Sequence, residues 1–144
     1  MKLSLPHLLT LLSATPWPMA GWPSAETITQ AVIDSREAGP GTLFVALPGE
    51  RTDGHTFVGH AFSRGATAAL AAHPLETSAA VIDLRTPGAM QPPAPDQPVL
   101  IVVEDPLRSL QQMAAAWRNR FTPRVVGITG SVGKTTTKEI TAAV

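Results

Sequence analysis

Apolar residues along this chain gather in short runs, separated by glycine and proline. Leu3 to Leu12 is apolar apart from a few positions such as His7 and Thr10. Ser4 as cap and Pro6 in the first turn predict a short amphipathic helix there. Residues 13–27 hold three prolines and two of the three tryptophans and read as a loop. β-Branched residues recur from Thr27 to Ile33, which predicts a strand ending at Asp34-Ser35-Arg36. Gly39-Pro40-Gly41 is a turn, Thr42 to Leu47 a second strand, and Pro48-Gly49 its break. Phe57, Val58, Ala61 and Phe62 have helical spacing, so a helix is expected over Thr56–Arg64 with Gly65 closing it. Ala66 to Ala72 and Ala79 to Leu84 read as strands, although alanine is a weak strand former.

Five prolines between residues 86 and 98 mark an extended, exposed loop. Val99 to Val103 is continuously apolar, as in a strand buried on both faces. Asp105-Pro106 opens a helix, cap before proline, whose expected apolar face is Leu107, Leu110, Ala114, Trp117 and Phe121. Thr122-Pro123 ends it. Arg124 to Thr129 is expected as one more strand, followed by a glycine-rich turn and a helical stretch. Strands alternate with helices, and the fold class is α/β. No internal repeat is visible. The Pro123 break divides residues 1–122 from 123–144.

Composition adds limits. Hydrophobic residues make up 44% of 144 positions, enough for a buried core. Eleven basic residues balance eleven acidic ones, which removes the electrostatic argument for a nucleic-acid partner. Cysteine is absent, so disulfides and thiolate metal sites are excluded, in keeping with a cytoplasmic protein. Lys2, the apolar Leu3–Leu12 run and Met19-Ala20-Gly21 have the outline of a secretory leader, but His7 interrupts the run and the helix is the stronger expectation. No stretch reaches the length of a membrane span.

The chemistry concentrates in Thr129-Gly130-Ser131-Val132-Gly133-Lys134-Thr135-Thr136-Thr137. Glycines let backbone amides approach an anion, and the following helix adds free N–H groups and the positive end of its dipole. Lys134 offers a point charge for β- and γ-phosphates, and Thr135 a hydroxyl for Mg2+. The strict phosphate-loop pattern wants glycine six positions before the lysine, where this chain has Ile128 between Gly127 and Gly130. The alternative is a glycine-rich turn with a surface lysine. The entering strand and the threonine run argue against it.

From Thr129 to Lys138-Glu139 this segment resembles the ATP loop of the Mur ligases of peptidoglycan synthesis. Upstream, Asp34-Ser35-Arg36, the run from Pro40 to Leu47, and Gly49 to His55 resemble the N-terminal substrate domain of that family. Ala61 through Ala66 continues the match. Gly130-Ser131 and Lys138-Glu139 favour the MurF-type branch over the MurE-type branch. The resemblance implies a small N-terminal substrate domain over 1–122, loosely matched before residue 28. The first strand, P-loop and helix of a truncated P-loop ATPase domain follow over 123–144.

The activity it implies is an ATP-dependent peptide-bond ligase, cytoplasmic and monomeric. Its cofactors are ATP and Mg2+, and its substrates UDP-N-acetylmuramoyl-tripeptide and D-alanyl-D-alanine. By position, Gly130, Ser131, Val132, Gly133, Lys134, Thr135 and Thr136 would hold the ATP phosphates. Lys134 would act in catalysis and Thr135 on the metal. Ser35, Arg36 and His55 would face the UDP part of the substrate, since a hydroxyl beside a guanidinium suits a diphosphate. His55 has a second reading, as a turn residue packing the Asp53-Gly54 loop. Asp34 and Asp53 also suit turns. Val132 departs from the small polar residue usual there, and the proline-rich 86–98 stretch is longer than usual. The central and C-terminal domains expected of the family are absent from these 144 residues, so no ligase activity is expected of them alone. Three alternatives are a MurE-type ligase, a non-catalytic UDP-sugar-binding module, and an unrelated P-loop kinase.

Overall fold

Five short runs rich in aliphatic residues line up side by side and in the same direction. The computed structural model describes residues 2–17, 22, 27–49, 52–86, 92–94, 96–122 and 124–142. Its strands are β1 (Leu3–Ser4), β2 (Thr27–Ile28), β3 (Gln30–Val32), β4 (Thr42–Val45), β5 (Ala68–Ala71), β6 (Ala80–Asp83) and β7 (Val99–Val102). Its α-helices are α1 (Leu5–Ser13), α2 (Val58–Ser63), α3 (Pro106–Arg118) and α4 (Lys134–Ala142). Two 3-10 turns, Ser35–Glu37 and Gly54–Phe57, follow β3 and precede α2. Strands β3 to β7 form one parallel sheet in the order β3-β4-β5-β7-β6. β1 and β2 pair separately and antiparallel.

Alternation along the strands sorts the core into two layers. Leu43, Val45, Leu70, Val99 and Ile101 face α1 and α3, where Leu5, Leu8, Leu9 and Met113 are buried with them. Phe44, Ala46, Ala69, Ala71, Leu100 and Val102 face α2, against Val58 and Ala61. The result is helices on both faces of a parallel sheet, the α/β class expected. The alanines that weakened the strand expectation for β5 are all buried, and two of them line the α2 side.

Several expectations change. The Thr27–Ile33 strand breaks at Thr29, whose amide donates to the Gly41 carbonyl at 2.8 Å, so β2 and β3 serve different sheets. The Thr56–Arg64 helix begins as a 3-10 turn, and Phe57 is 41% exposed rather than on the core face. In α3 the buried residues are Pro106, Ser109 and Met113; of the expected face Leu110 is partly buried against the core, while Leu107 and, past the helix, Phe121 are exposed. Arg124 to Thr129 is extended but pairs with no strand among the described residues. A strand needs a ladder partner, and among the described residues this segment has none. Ser4 stands at the start of α1, yet its hydroxyl bonds His7 Nδ1 at 2.6 Å instead of capping the backbone. Met19-Ala20-Gly21 and much of the proline-rich stretch (87–91 and 95) lie outside the described residues.

Candidate functional site

Because the sheet is parallel, the ends of all its strands open on one edge. In open α/β sheets ligands bind in the crevice at that edge. The segments that leave it include Ile33–Glu37 after β3, Ala46–Gly49 and Thr52–Phe57 after β4, and Ala72-His73 after β5. Ser35, Arg36 and His55 are therefore brought to one edge, as their grouping in the sequence suggested.

The Asp34 turn is built from its own side chains. The Asp34 carboxylate accepts from the Arg36 amide at 2.9 Å and from the Arg36 guanidinium at 2.6 Å. The guanidinium, followed by the amide, holds Asp34 down at about 2, against an ordinary 3.8. Arg36 is raised in turn by the same carboxylate. Its side chain is still 82% exposed. Ser35 is the opposite case: it is buried, and its Oγ lies 2.9 Å from Nδ1 of His60 on α2. Sequence reasoning missed His60. It stands on the helix after the motif, and only the packing of α2 beside the turn brings it to Ser35.

His55 is buried and bonded at both ring nitrogens. The Ala72 amide donates to Nε2 at 2.9 Å, so the neutral ring carries its proton on Nδ1 and donates to Asp53 at 2.5 Å. The His55 amide, then its ring, lowers the Asp53 carboxyl below the ordinary range. His73 stacks on His55 with ring centroids 4.5 Å apart. Asp53, His55 and His73 thus gather ligand-type atoms within 4.8 Å, but His55 has no free nitrogen to give a metal. Its work is to tie the end of β5 to the turn after β4. Gly54 is required there by close approach: a Cβ would lie 2.6 Å from the Leu47 carbonyl oxygen.

The glycine loop stands apart. Among the described side chains from 124 to 141, only Ile128 is as much as half-buried, and Val132 is 90% exposed. No hydrogen bond or ion pair among the described residues joins this segment to the sheet edge. Gly130 and Gly133 have φ of 148° and 81°, conformations that favour glycine, and Gly133 leads directly into α4. Lys134 opens that helix, with its ammonium donating to the Gly130 carbonyl. The Thr135 hydroxyl makes no hydrogen bond among the described residues. Val126, Ile128, Lys134, Thr135 and Lys138 line an open cleft of about 360 Å³. Free helix-terminal amides, a lysine turned back over the loop and an uncommitted hydroxyl fit a magnesium-bound triphosphate.

A Mur ligase family model, described as its catalytic domain, matches residues 27–118. Over 143 residues the chain is 37% identical to the UDP-N-acetylmuramoyl-tripeptide–D-alanyl-D-alanine ligase of Synechocystis sp., covering 99% of this chain and 28% of that protein. It is 39% identical over 117 residues to a UDP-N-acetylmuramoyl-L-alanyl-D-glutamate–2,6-diaminopimelate ligase of Parasynechococcus marenigrum, covering 78% of this chain and 21% of that one. Among solved structures it is similar to the UDP-N-acetylmuramoylalanyl-D-glutamyl-2,6-diaminopimelate–D-alanyl-D-alanyl ligase of Acinetobacter baumannii (TM-score 0.69, 26% identity, 99% of this chain and 28% of that one). It is also similar to the MurF ligase of Thermotoga maritima in complex with ADP (TM-score 0.58, 34% identity, 78% of this chain and 22% of that one). The chain spans about a quarter of the length of the curated relatives it matches.

Proposed function

This chain belongs to the Mur ligase family, and on that premise we propose that it holds the UDP-substrate domain and the ATP loop of a MurF-type ligase. The substrate domain is residues 1–122, and residues 123–144 begin the ATP-binding domain. The whole protein then joins D-alanyl-D-alanine to UDP-N-acetylmuramoyl-tripeptide in cytoplasmic peptidoglycan precursor synthesis. When bound, ATP supplies the phosphoryl group that activates the tripeptide carboxylate for attack by the dipeptide amine. Amides from Gly130 to Thr136 hold its phosphates, Lys134 neutralises charge on the transferred group, and Thr135 ligates Mg2+. At the sheet edge Arg36 is the exposed cation, Ser35 lies buried behind it, and His55 fixes the loop that frames both.

The observation that carries this reading is the loop backbone: two glycines with positive φ feed the amino end of α4, headed by Lys134 and Thr135. Calorimetry on the 144-residue chain tests it. Lys134→Ala should weaken Mg-ATP binding at least about tenfold, the scale of one lost charge-assisted contact. It should leave UDP-N-acetylmuramoyl-tripeptide binding unchanged, and Arg36→Ala should do the reverse. Mg-ATP binding insensitive to Lys134→Ala would defeat the reading. A phosphate-release assay with all three substrates should show no dipeptide-dependent turnover by these 144 residues.

The near-equal match to a diaminopimelate ligase favours one second reading, the MurE-type reaction. Assaying the full-length protein with D-alanyl-D-alanine against diaminopimelate separates the two.

A further inference from the structure

We infer that His60 is a ligand-contacting residue of the sheet-edge site, donating from Nε2 to the diphosphate of the nucleotide substrate. The inference rests on the reading that this edge receives the UDP-linked substrate.

The Asp34 turn leaves room for a second donor to an anion. Arg36 is exposed, but three of its contacts already go to Asp34. The Ser35 hydroxyl is buried and directed at His60. His60 is exposed, and its ring is fixed by the 2.9 Å contact between Nδ1 and Ser35 Oγ. Nε2, across the ring, has no hydrogen-bond partner among the described residues. If the Ser35 hydroxyl donates to Nδ1, the neutral ring must carry its proton on Nε2. If the ring is protonated, Nδ1 donates to Ser35 and Nε2 still presents a proton, now with a full charge. An anion outside the turn selects these two forms over the tautomer with a bare Nε2. The neutral form offers a donor alone, and the protonated form adds a full charge to the same contact.

Among the described residues, the charged and titratable groups on the elements around His60 are these. Asp34, Arg36 and Glu37 lie on the facing turn, Asp53 and His55 on the turn entering α2, and Arg64 just past the end of α2. Asp34 is held at about 2 and Arg36 is raised, so neither changes charge near neutrality. Histidine is the side chain that does. His55 is internally bonded at both nitrogens, which leaves His60 as the imidazole facing the Asp34 turn.

The test is calorimetry on the 144-residue chain with UDP-N-acetylmuramoyl-tripeptide at pH 8 and pH 6. The diphosphate diester of this ligand keeps the same two negative charges across that range. Wild type should tighten by about five- to tenfold on going to pH 6, the scale of one added charge near an anion. His60→Asn should bind within about threefold of wild type at pH 8, keeping a neutral donor, and lose most of the gain at pH 6. His73→Asn should keep that gain, and matched unfolding midpoints exclude a folding defect. A wild-type pH dependence in His60→Asn overturns the role of His60 alone. Failure of the wild-type chain to bind at either pH overturns the substrate-site reading, and this inference with it.

Discussion

Asp34 accepts from its own turn and from Arg36, and both contacts prefer the carboxylate. Its folded value, about 2, lies below the ordinary 3.8. The sign follows from linkage: the contribution is present above the ordinary value and is lost as pH falls through the folded one. The Arg36 side-chain NH resonance should therefore titrate with a midpoint near 2, and a midpoint near 4 would mean the pair is open in solution. His55 makes the second residue-scale prediction. His55→Ala leaves the Ala72 amide without its acceptor and empties a buried ring site. It should cost roughly 1–3 kcal/mol in urea unfolding, the price of an unmade hydrogen bond. A loss below about 0.5 kcal/mol, the range of an ordinary surface change, would contradict the tie that His55 makes between β5 and the turn after β4.

Helix α3 shows how a correct element can carry the wrong face. Leu107, Leu110, Ala114, Trp117 and Phe121 have helical spacing, but so do Pro106, Ser109 and Met113, and the second stripe is the fully buried one, with only Leu110 of the first packed partly buried against the core. A serine at its centre hid it from hydrophobic patterning. Met113→Ala should cost about 2–5 kcal/mol as a core truncation, and Leu107→Ala, at 47% exposure, within about 0.5 kcal/mol; the reverse order would restore the sequence expectation. The loop gives the parallel case for backbone. Gly133→Ala forces a side chain into φ of 81°. It should weaken Mg-ATP binding by about 1–2 kcal/mol, the cost of the left-handed conformation. Strands β4 and β7 were legible because both faces are buried and their runs are uninterrupted. The break at Thr29 was not, because it depends on the distant Gly41 carbonyl. The Ser35, Arg36 and His55 grouping was legible from one stretch of chain, whereas His60 needed the packing of α2 against it.

At the scale of the whole molecule, the buried core begins at Leu5 and ends at Met113. The described side chains beyond residue 123 add almost nothing to it, since Val125 and Val126 are about 70% exposed and Ile140 is 64% exposed. Helix α4 has nine residues. An isolated helix shorter than about 12–15 residues is marginal in water, so α4 draws little stability from itself. The sheet and the phosphate loop should therefore behave as energetically separate parts of this chain. Residues 1–122 alone should unfold in urea at the same midpoint as residues 1–144, within about 0.5 kcal/mol, the scale of changes that touch no core. In the longer chain, amides from 125 to 142 should exchange with solvent far faster than those of β4, β5 and β7. Saturating Mg-ATP should slow exchange in the first turn of α4 without moving the sheet's midpoint. A midpoint lowered by more than about 1 kcal/mol on removing 123–144 would show that the loop segment packs against the sheet and shares its stability.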